Sequence, residues 1–253
     1  MTLQSRIVAR FFPNDVNNFD GFKTIVERHM RDAYEVLDLG CGDNSVLANY
    51  RGSGRLVWGV DFAAHPRLQD AEWFRLLEGK GRIPFPDRTF DLVVCISVME
   101  HVTDGLAFFS EVARVLKPNG FFIGHSISGN HYVTWIRRAF GLLPHSINQA
   151  IVKAVYGRDE IDTFPALYRL NREAAIDEVA QFAGLRRMDL FRYADQGYFS
   201  FFRPLLPVAA TVDGILARFS SAWGRLYFTV ILQKHMQDQQ SELDRARQPL
   251  RGR

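Results

Sequence analysis

Asp38 and Asp61 are the residues of this sequence best placed to do chemistry. Each stands at the carboxyl end of an apolar run, Glu35–Leu39 and Arg55–Asp61, and the first run leads into Gly40-Cys41-Gly42. A carboxylate at a buried strand end needs a partner, because an unpaired charge out of water is costly. The two glycines permit a sharp exit that a Cβ would obstruct, so a ligand can approach bare backbone and offer that partner.

Gly-x-Gly alone says little, since it also opens the dinucleotide fingerprint. Here the sixth position of that fingerprint is Ser45 rather than Gly or Ala. Asp61 follows Gly42 by 19 residues. In a doubly wound sheet the carboxyl ends of neighbouring strands share one crevice, so Asp61 is expected beside the glycine loop, accepting hydrogen bonds from two ribose hydroxyls. Phe62 can lie against an adenine face. Both features suit any adenosine-containing ligand.

The elements that must position these groups alternate between strand and helix patterns. Strands are expected at Glu35–Leu39, Arg55–Asp61, Trp73–Leu77, Phe90–Ile96, Phe121–Gly124, Leu185–Tyr193 and Leu226–Leu232. A lead-in over residues 1–34 carries Phe19, Phe22, Ile25, Val26 and Met30 at helical spacing, with Asn14 or Asp15 as cap, and is expected to cover the cofactor end of the sheet. Ser45–Tyr50 reads as a short helix whose N–H groups face either a ligand or the caps Asp43 and Asn44. Asp104–Leu116 reads as a helix ended by Pro118, with Leu106, Phe109, Val112, Ala113 and Leu116 on one face, and Asn171–Gly184 as another, capped by Asn171 and stopped by Gly184. The expected fold is α/β: a doubly wound, Rossmann-like, seven-stranded, mostly parallel sheet with helices on both faces.

Three further segments follow in order: Ile83-Pro-Phe-Pro-Asp-Arg-Thr-Phe-Asp-Leu-Val-Val94, Ser97-Val-Met-Glu-His101 and Leu116-Lys-Pro-Asn-Gly120. After VLDLGCG, this series resembles the class I S-adenosylmethionine-dependent methyltransferases, in particular the small-molecule branch with LPFPDxxFDxV, a strand-end Glu-His and LKPGG. The resemblance covers roughly residues 20 to 126. It implies S-adenosyl-L-methionine as cofactor, with Asp38, Gly40, Cys41 and Gly42 in the methionine-side loop, Asp61 on the ribose, Phe62 at the adenine and Ser97 facing the sulfonium. Glu78, in the stretch Glu78–Arg82, stands where the family often has an Asp for the adenine amino group. Asn119 replaces the first glycine of LKPGG, a tolerable change because Asn also accepts positive φ.

A methyl sulfonium is already activated, so catalysis can consist mainly of aligning the nucleophile and excluding water. Where the acceptor is a hydroxyl, a base helps, and His101 and Glu100 are the candidates; their structural alternative is orienting the loop. His125, His131 and Tyr132 could enter the same pocket or simply be packed. No Cys or further His completes a metal set with His125 and His131, so no metal is expected.

Residues 127–170 are irregular and aromatic, with His131, Tyr132, Trp135, Arg137, Arg138 and His145, and are read as a substrate-recognition insertion. A second insertion, 195–224, is apolar but too short to span a bilayer. It either packs on the core or closes over a lipid-like acceptor and meets a membrane, with Arg203, Arg218 and Arg225 near headgroups. The domain thus runs from 35 to 236, followed by a polar tail at 237–253.

With 253 residues, 47% of them hydrophobic, the chain can cover a parallel sheet. A net charge of +3 without a basic stripe does not point to nucleic acid. Two cysteines in apolar settings and no apolar leader fit a cytoplasmic protein, either free or peripheral at the inner face of a membrane. The acceptor is expected to be a small molecule, sugar-linked or lipid-like. Two rivals stand beside this reading: an NAD-dependent oxidoreductase, and a noncatalytic cofactor-binding protein that docks on a membrane or partner.

Overall fold

The computed structural model describes residues 6, 10, 12–13, 15–43, 46–52, 54–68, 71–79, 81–140, 166–195 and 204–235. Seven strands, β1 (Glu35–Leu39), β2 (Leu56–Asp61), β3 (Phe74–Leu76), β4 (Phe90–Ile96), β5 (Leu116–Ile127), β6 (Leu185–Tyr193) and β7 (Tyr227–Lys234), form one sheet. Their order is β3-β2-β1-β4-β5-β7-β6. The first five pair in parallel, and β7 runs antiparallel to both β5 and β6. This is the expected seven-stranded, mostly parallel architecture.

Alternation along the strands splits the core in two. Leu37, Leu39, Val93 and Cys95 face Phe109 and Val112 of α2 (Gly105–Val115) and Ile176 and Ala180 of α4 (Glu173–Phe182). Val36, Leu92, Val94 and Ile123 face Phe22, Ile25, Val26 and Met30 of α1 (Asn18–Met30). Helices therefore cover both faces. Arg114, in the last turn of α2, gathers the Ile83–Asp87 stretch by donating to the Ile83 and Phe85 carbonyls and pairing with Glu111 and Asp87. At the opposite rim from the glycine loop, Asp91 accepts from the Tyr34 and Glu35 amides and from Lys117.

Several boundaries differ from the sequence reading. The cap of α1 is Asn17, whose side chain accepts from the Phe19 and Asp20 amides; Asp15 instead holds Arg225, and Asn14 lies outside the described residues. After the glycine loop the chain makes a three-residue 3-10 turn, Ala48–Tyr50, rather than a helix from Ser45. Helix α2 ends at Val115, before Pro118, because β5 begins at Leu116; its Leu106 is exposed. Between Leu116, opposite Phe90, and Phe121, opposite Leu92, the pairing shifts register, and this irregularity absorbs Pro118 and Asn119, the latter at φ 65. Asn171 does not cap α4: Arg172 holds that position, and Asn171 donates to Ser126 and the Ile127 carbonyl. Gly184, at φ 78, stops α4 as expected.

The insertions are more regular than their sequences suggest. Within 127–170 lies α3 (Tyr132–Phe140), and within 195–224 lie α5 (Leu205–Phe219) and α6 (Ser221–Gly224). Residues 141–165 with His145, residues 196–203 with Arg203, and the tail from 236 onward lie outside the described residues.

Candidate active site

The site gathers at the carboxyl ends of β1, β2 and β4. Gly40, at φ 76, turns the chain out of β1, and its amide and that of Cys41 both donate to the Val60 carbonyl, at 2.8 and 3.1 Å. A Cβ on Gly40 would overlap Val98 Cγ2, whereas one on Gly42, at φ 52, would meet nothing within 4 Å. The bend is thus closed toward β4 and open at Gly42. Asp61 completes it: Oδ2 accepts from the Gly42 amide at 2.8 Å, and Oδ1 accepts from the Phe62 amide at 2.7 Å. Each oxygen keeps a further lone pair.

Asp38 is buried and its carboxyl is pushed up to about 7. Desolvation is the main cause; Arg51 opposes it, and the charges of Asp61 and Asp43 add to it. Arg51 itself stands with its guanidinium 3.3 Å from the Trp73 ring centroid and donates to the Val57 carbonyl. Burial pulls its ordinary value down. Nothing in the glycine motif announces Arg51; only the fold brings the β1–β2 connection back over Asp38.

The remaining sequence candidates fall in two groups. Phe62, with an exposed ring, packs near Gly81 in the turn that Glu78 closes through backbone bonds with Arg82, so Phe62, Glu78 and Asp61 share one side of the site. Ser97 is exposed at the end of β4 with φ 54, a conformation sparsely populated by non-glycine residues, and its amide donates to the His125 carbonyl.

Glu100 and His101 lie on a 3-10 turn after Ser97. Glu100 is buried: its carboxylate accepts from Ser126 Oγ, which accepts in turn from Asn171 Nδ2, and its backbone carbonyl accepts from the Leu167 and Tyr168 amides. These bonds tie the β4 exit to the segment returning into α4. The Ser126 and Asn171 links were not legible in the sequence, because neither residue belongs to the motif series.

His125 is buried against Phe22 and stacked on Tyr227, and desolvation pulls it down to about 4, so it stays neutral. His131 donates through Nε2 to Asp213 of α5 at 3.2 Å while Nδ1 accepts from the Val133 amide, so both ring nitrogens are engaged. Among the described residues no three His, Cys, Asp or Glu side chains converge as a metal site.

These features fit an adenosyl sulfonium: an open Cβ-free position at Gly42, a carboxylate with spare lone pairs at Asp61, and a buried carboxyl at Asp38 whose ionised form a nearby cation would favour.

Residues 37–124 match the family of the methyltransferase domain. Over 95 residues the chain is 33% identical to a demethylmenaquinone methyltransferase of Tropheryma whipplei, covering 34% of this chain and 38% of that protein. Over 106 residues it is 31% identical to a ubiquinone biosynthesis O-methyltransferase of a Bradyrhizobium species, covering 38% of this chain and 40% of that one. The chain thus spans well under half the length of these relatives. The fold is similar to that of geranyl diphosphate C-methyltransferase from Streptomyces coelicolor, with a TM-score of 0.54 at 14% identity over 85% of this chain and 77% of that one. The matched segment, residues 37–124, lies within the stretch whose motifs resemble class I S-adenosylmethionine-dependent methyltransferases.

Proposed function

We propose that this chain binds S-adenosyl-L-methionine and transfers its methyl group to a small, apolar acceptor. The observation that carries this reading is the pair of carboxylates, Asp38 and Asp61, flanking the open glycine bend at the ends of adjacent parallel strands. Bound there, the cofactor supplies an already activated methyl group. Asp61 holds the Gly42 amide and offers its remaining lone pairs to the ribose hydroxyls. Phe62 offers its exposed face to the adenine, with Glu78 in the turn beside it. Asp38 becomes a carboxylate facing the cationic end of the cofactor, and Ser97 lines the methyl side. Glu100, held by Ser126, positions the β4 exit, which leaves His101 as the group able to take a proton where the acceptor is a hydroxyl.

Two relatives, named for demethylmenaquinone methylation and for ubiquinone biosynthesis, support a quinone-like, lipid-like acceptor. So does α5. Leu205, Val208, Val212, Ile215 and Phe219 form an exposed apolar stripe, its one carboxylate, Asp213, is buried, and Arg218 is exposed. We read this face as a peripheral contact with a membrane, with Arg218 toward anionic headgroups. Arg225 takes no part, being paired with Asp15. No helix among the described residues is long and apolar enough to cross a membrane.

Titration calorimetry with S-adenosyl-L-methionine and with NAD tests the cofactor, and transfer of a tritiated methyl group to a lipid extract tests the activity. Tight binding of NAD alone refutes the reading. Vesicles with and without anionic lipid test the α5 face; Val212→Glu should abolish co-sedimentation while leaving cofactor binding intact.

A further inference from the structure

A cleft lies between α1 and the short turn that follows the glycine loop. Phe19 stands on one side and Val46 on the other, Phe22, Val26 and Leu47 lie beneath them, and Lys23, Glu27, Asn49 and Tyr50 line it as well. Its volume is about 370 Å³, within the roughly 300–1,000 Å³ typical of small-molecule sites. The local chain path explains why it exists. A full helix after Gly42 would pack its apolar face on α1, but among the described residues the chain makes only the turn Ala48–Tyr50, and Phe19 at the start of α1 stays 45% exposed.

The cleft also sits at the reactive end of the sheet. Phe22, near the start of α1, lies 5.0 Å from His125, which pairs with Ile96 at the carboxyl end of β4, whereas His29 near the other end of α1 lies 4.8 Å from Phe121, which pairs with Leu92 toward the amino end of β4. Ile96 packs against the same cluster as Phe22, Val46 and Leu47, and the next residue is Ser97. The charged groups are already matched: Glu27 accepts from Tyr50 Oη at 3.2 Å and stands 3.9 Å from Lys23. The apolar surface the cleft leaves open to a ligand is that of Phe19 and Val46. Phe22 and Leu47 are fully buried, so its floor is firm.

We infer that this cleft seats the apolar body of the methyl acceptor, an aromatic ring or alkyl tail, with the group to be methylated directed toward Ser97. The inference rests on the proposed methyl transfer, and its test separates the two. The probe is N-phenyl-1-naphthylamine, a neutral aromatic dye whose fluorescence rises on burial, displaced by 4-decylphenol from the full chain. Val46→Trp fills the cleft from its wall and should weaken dye and phenol binding by about tenfold or more, with the affinity for S-adenosyl-L-methionine unchanged by calorimetry. Phe19→Ala, at a position already 45% exposed, removes a wall without threatening the fold and should also weaken both. Ile215→Lys, on the α5 stripe, should leave dye binding as it was. Binding that survives both cleft variants, or that disappears with Ile215→Lys, overturns the inference. Failure of the wild-type chain to bind S-adenosyl-L-methionine instead refutes the methyl-transfer reading, and is read in a separate titration.

Discussion

Replacing Asp38 by Asn should make the ligand-free protein more stable at neutral and alkaline pH while weakening cofactor binding. The carboxyl is buried and raised from 3.8 to about 7, chiefly by desolvation. A shift of about 3 units corresponds to about 4 kcal/mol at roughly 1.36 kcal/mol per unit, and this is the upper bound on what ionising Asp38 costs the fold. Because the folded value is raised, the unfolded chain releases this proton first as pH climbs. The stability present below about pH 4 is then lost progressively up to about pH 7. Asn is close in shape and carries no proton to lose. About half the bound, roughly 2 kcal/mol, should survive as stabilisation at pH 8 once the new amide has found partners, which is about 4–8 °C in melting temperature for a domain of this size. His125 acts in the opposite sense, since its lowered value makes stability rise between about pH 4 and 6.5. The informative quantity is therefore the difference between wild type and variant. Denaturant titrations at half-unit steps from pH 5 to 8.5 measure it, and calorimetry with S-adenosyl-L-methionine at the same pH values should show wild-type affinity rising toward pH 7 and a flat, weaker profile for the variant. A variant less stable than wild type at pH 8, or a difference that does not change with pH, would show that Asp38 pays no desolvation cost and is held ionised by partners within the protein.

Asp61→Ala should weaken S-adenosyl-L-methionine by about 1.5–3 kcal/mol, the scale for losing hydrogen bonds to a charged group, and unchanged calorimetric affinity would remove Asp61 from the ribose. Gly40→Ala places a Cβ on Val98 at positive φ and should cost more stability than Gly42→Ala, where the φ penalty of about 1 kcal/mol acts alone; paired denaturant curves compare them. Arg114→Ala removes the donor to two backbone carbonyls and the ion-pair partner of Glu111, which keeps the Ile83 amide, and should destabilise by about 3 kcal/mol, read as a lower melting temperature with cofactor affinity at pH 7 retained.

The strands were legible where burial on both faces writes a continuous apolar run. β1 and β4 begin and end at the residues their sequences indicate, and so does β6, although it is an edge strand carrying Arg186, Arg187, Asp189 and Arg192. The Leu116–Gly120 stretch was not, because Pro118 reads as a helix terminator and only the pairing with Phe90 reveals it as strand. Asn171 carries a capping residue's chemistry, yet its buried link to Ser126 and the Ile127 carbonyl prevails, a tertiary choice that no local pattern encodes. In the site, the glycine bend and Asp61 were readable from spacing, since the strand ends fix them. Arg51 and the cleft beside α1 were not. Both follow from how the β1–β2 connection folds back, which depends on contacts with Trp73 and α1 rather than on neighbours in sequence.

β7 lies between β5 and β6, although its residues are the last of the three to be synthesised. Until the ribosome has released 227–234, β6 has no neighbour to bond with and β5 presents a raw edge, while the five parallel strands that build the glycine bend are already complete. The emerging chain can therefore assemble its glycine bend early, and a ligand that fits the bend would hold the half-finished sheet until its closing strand slides into place.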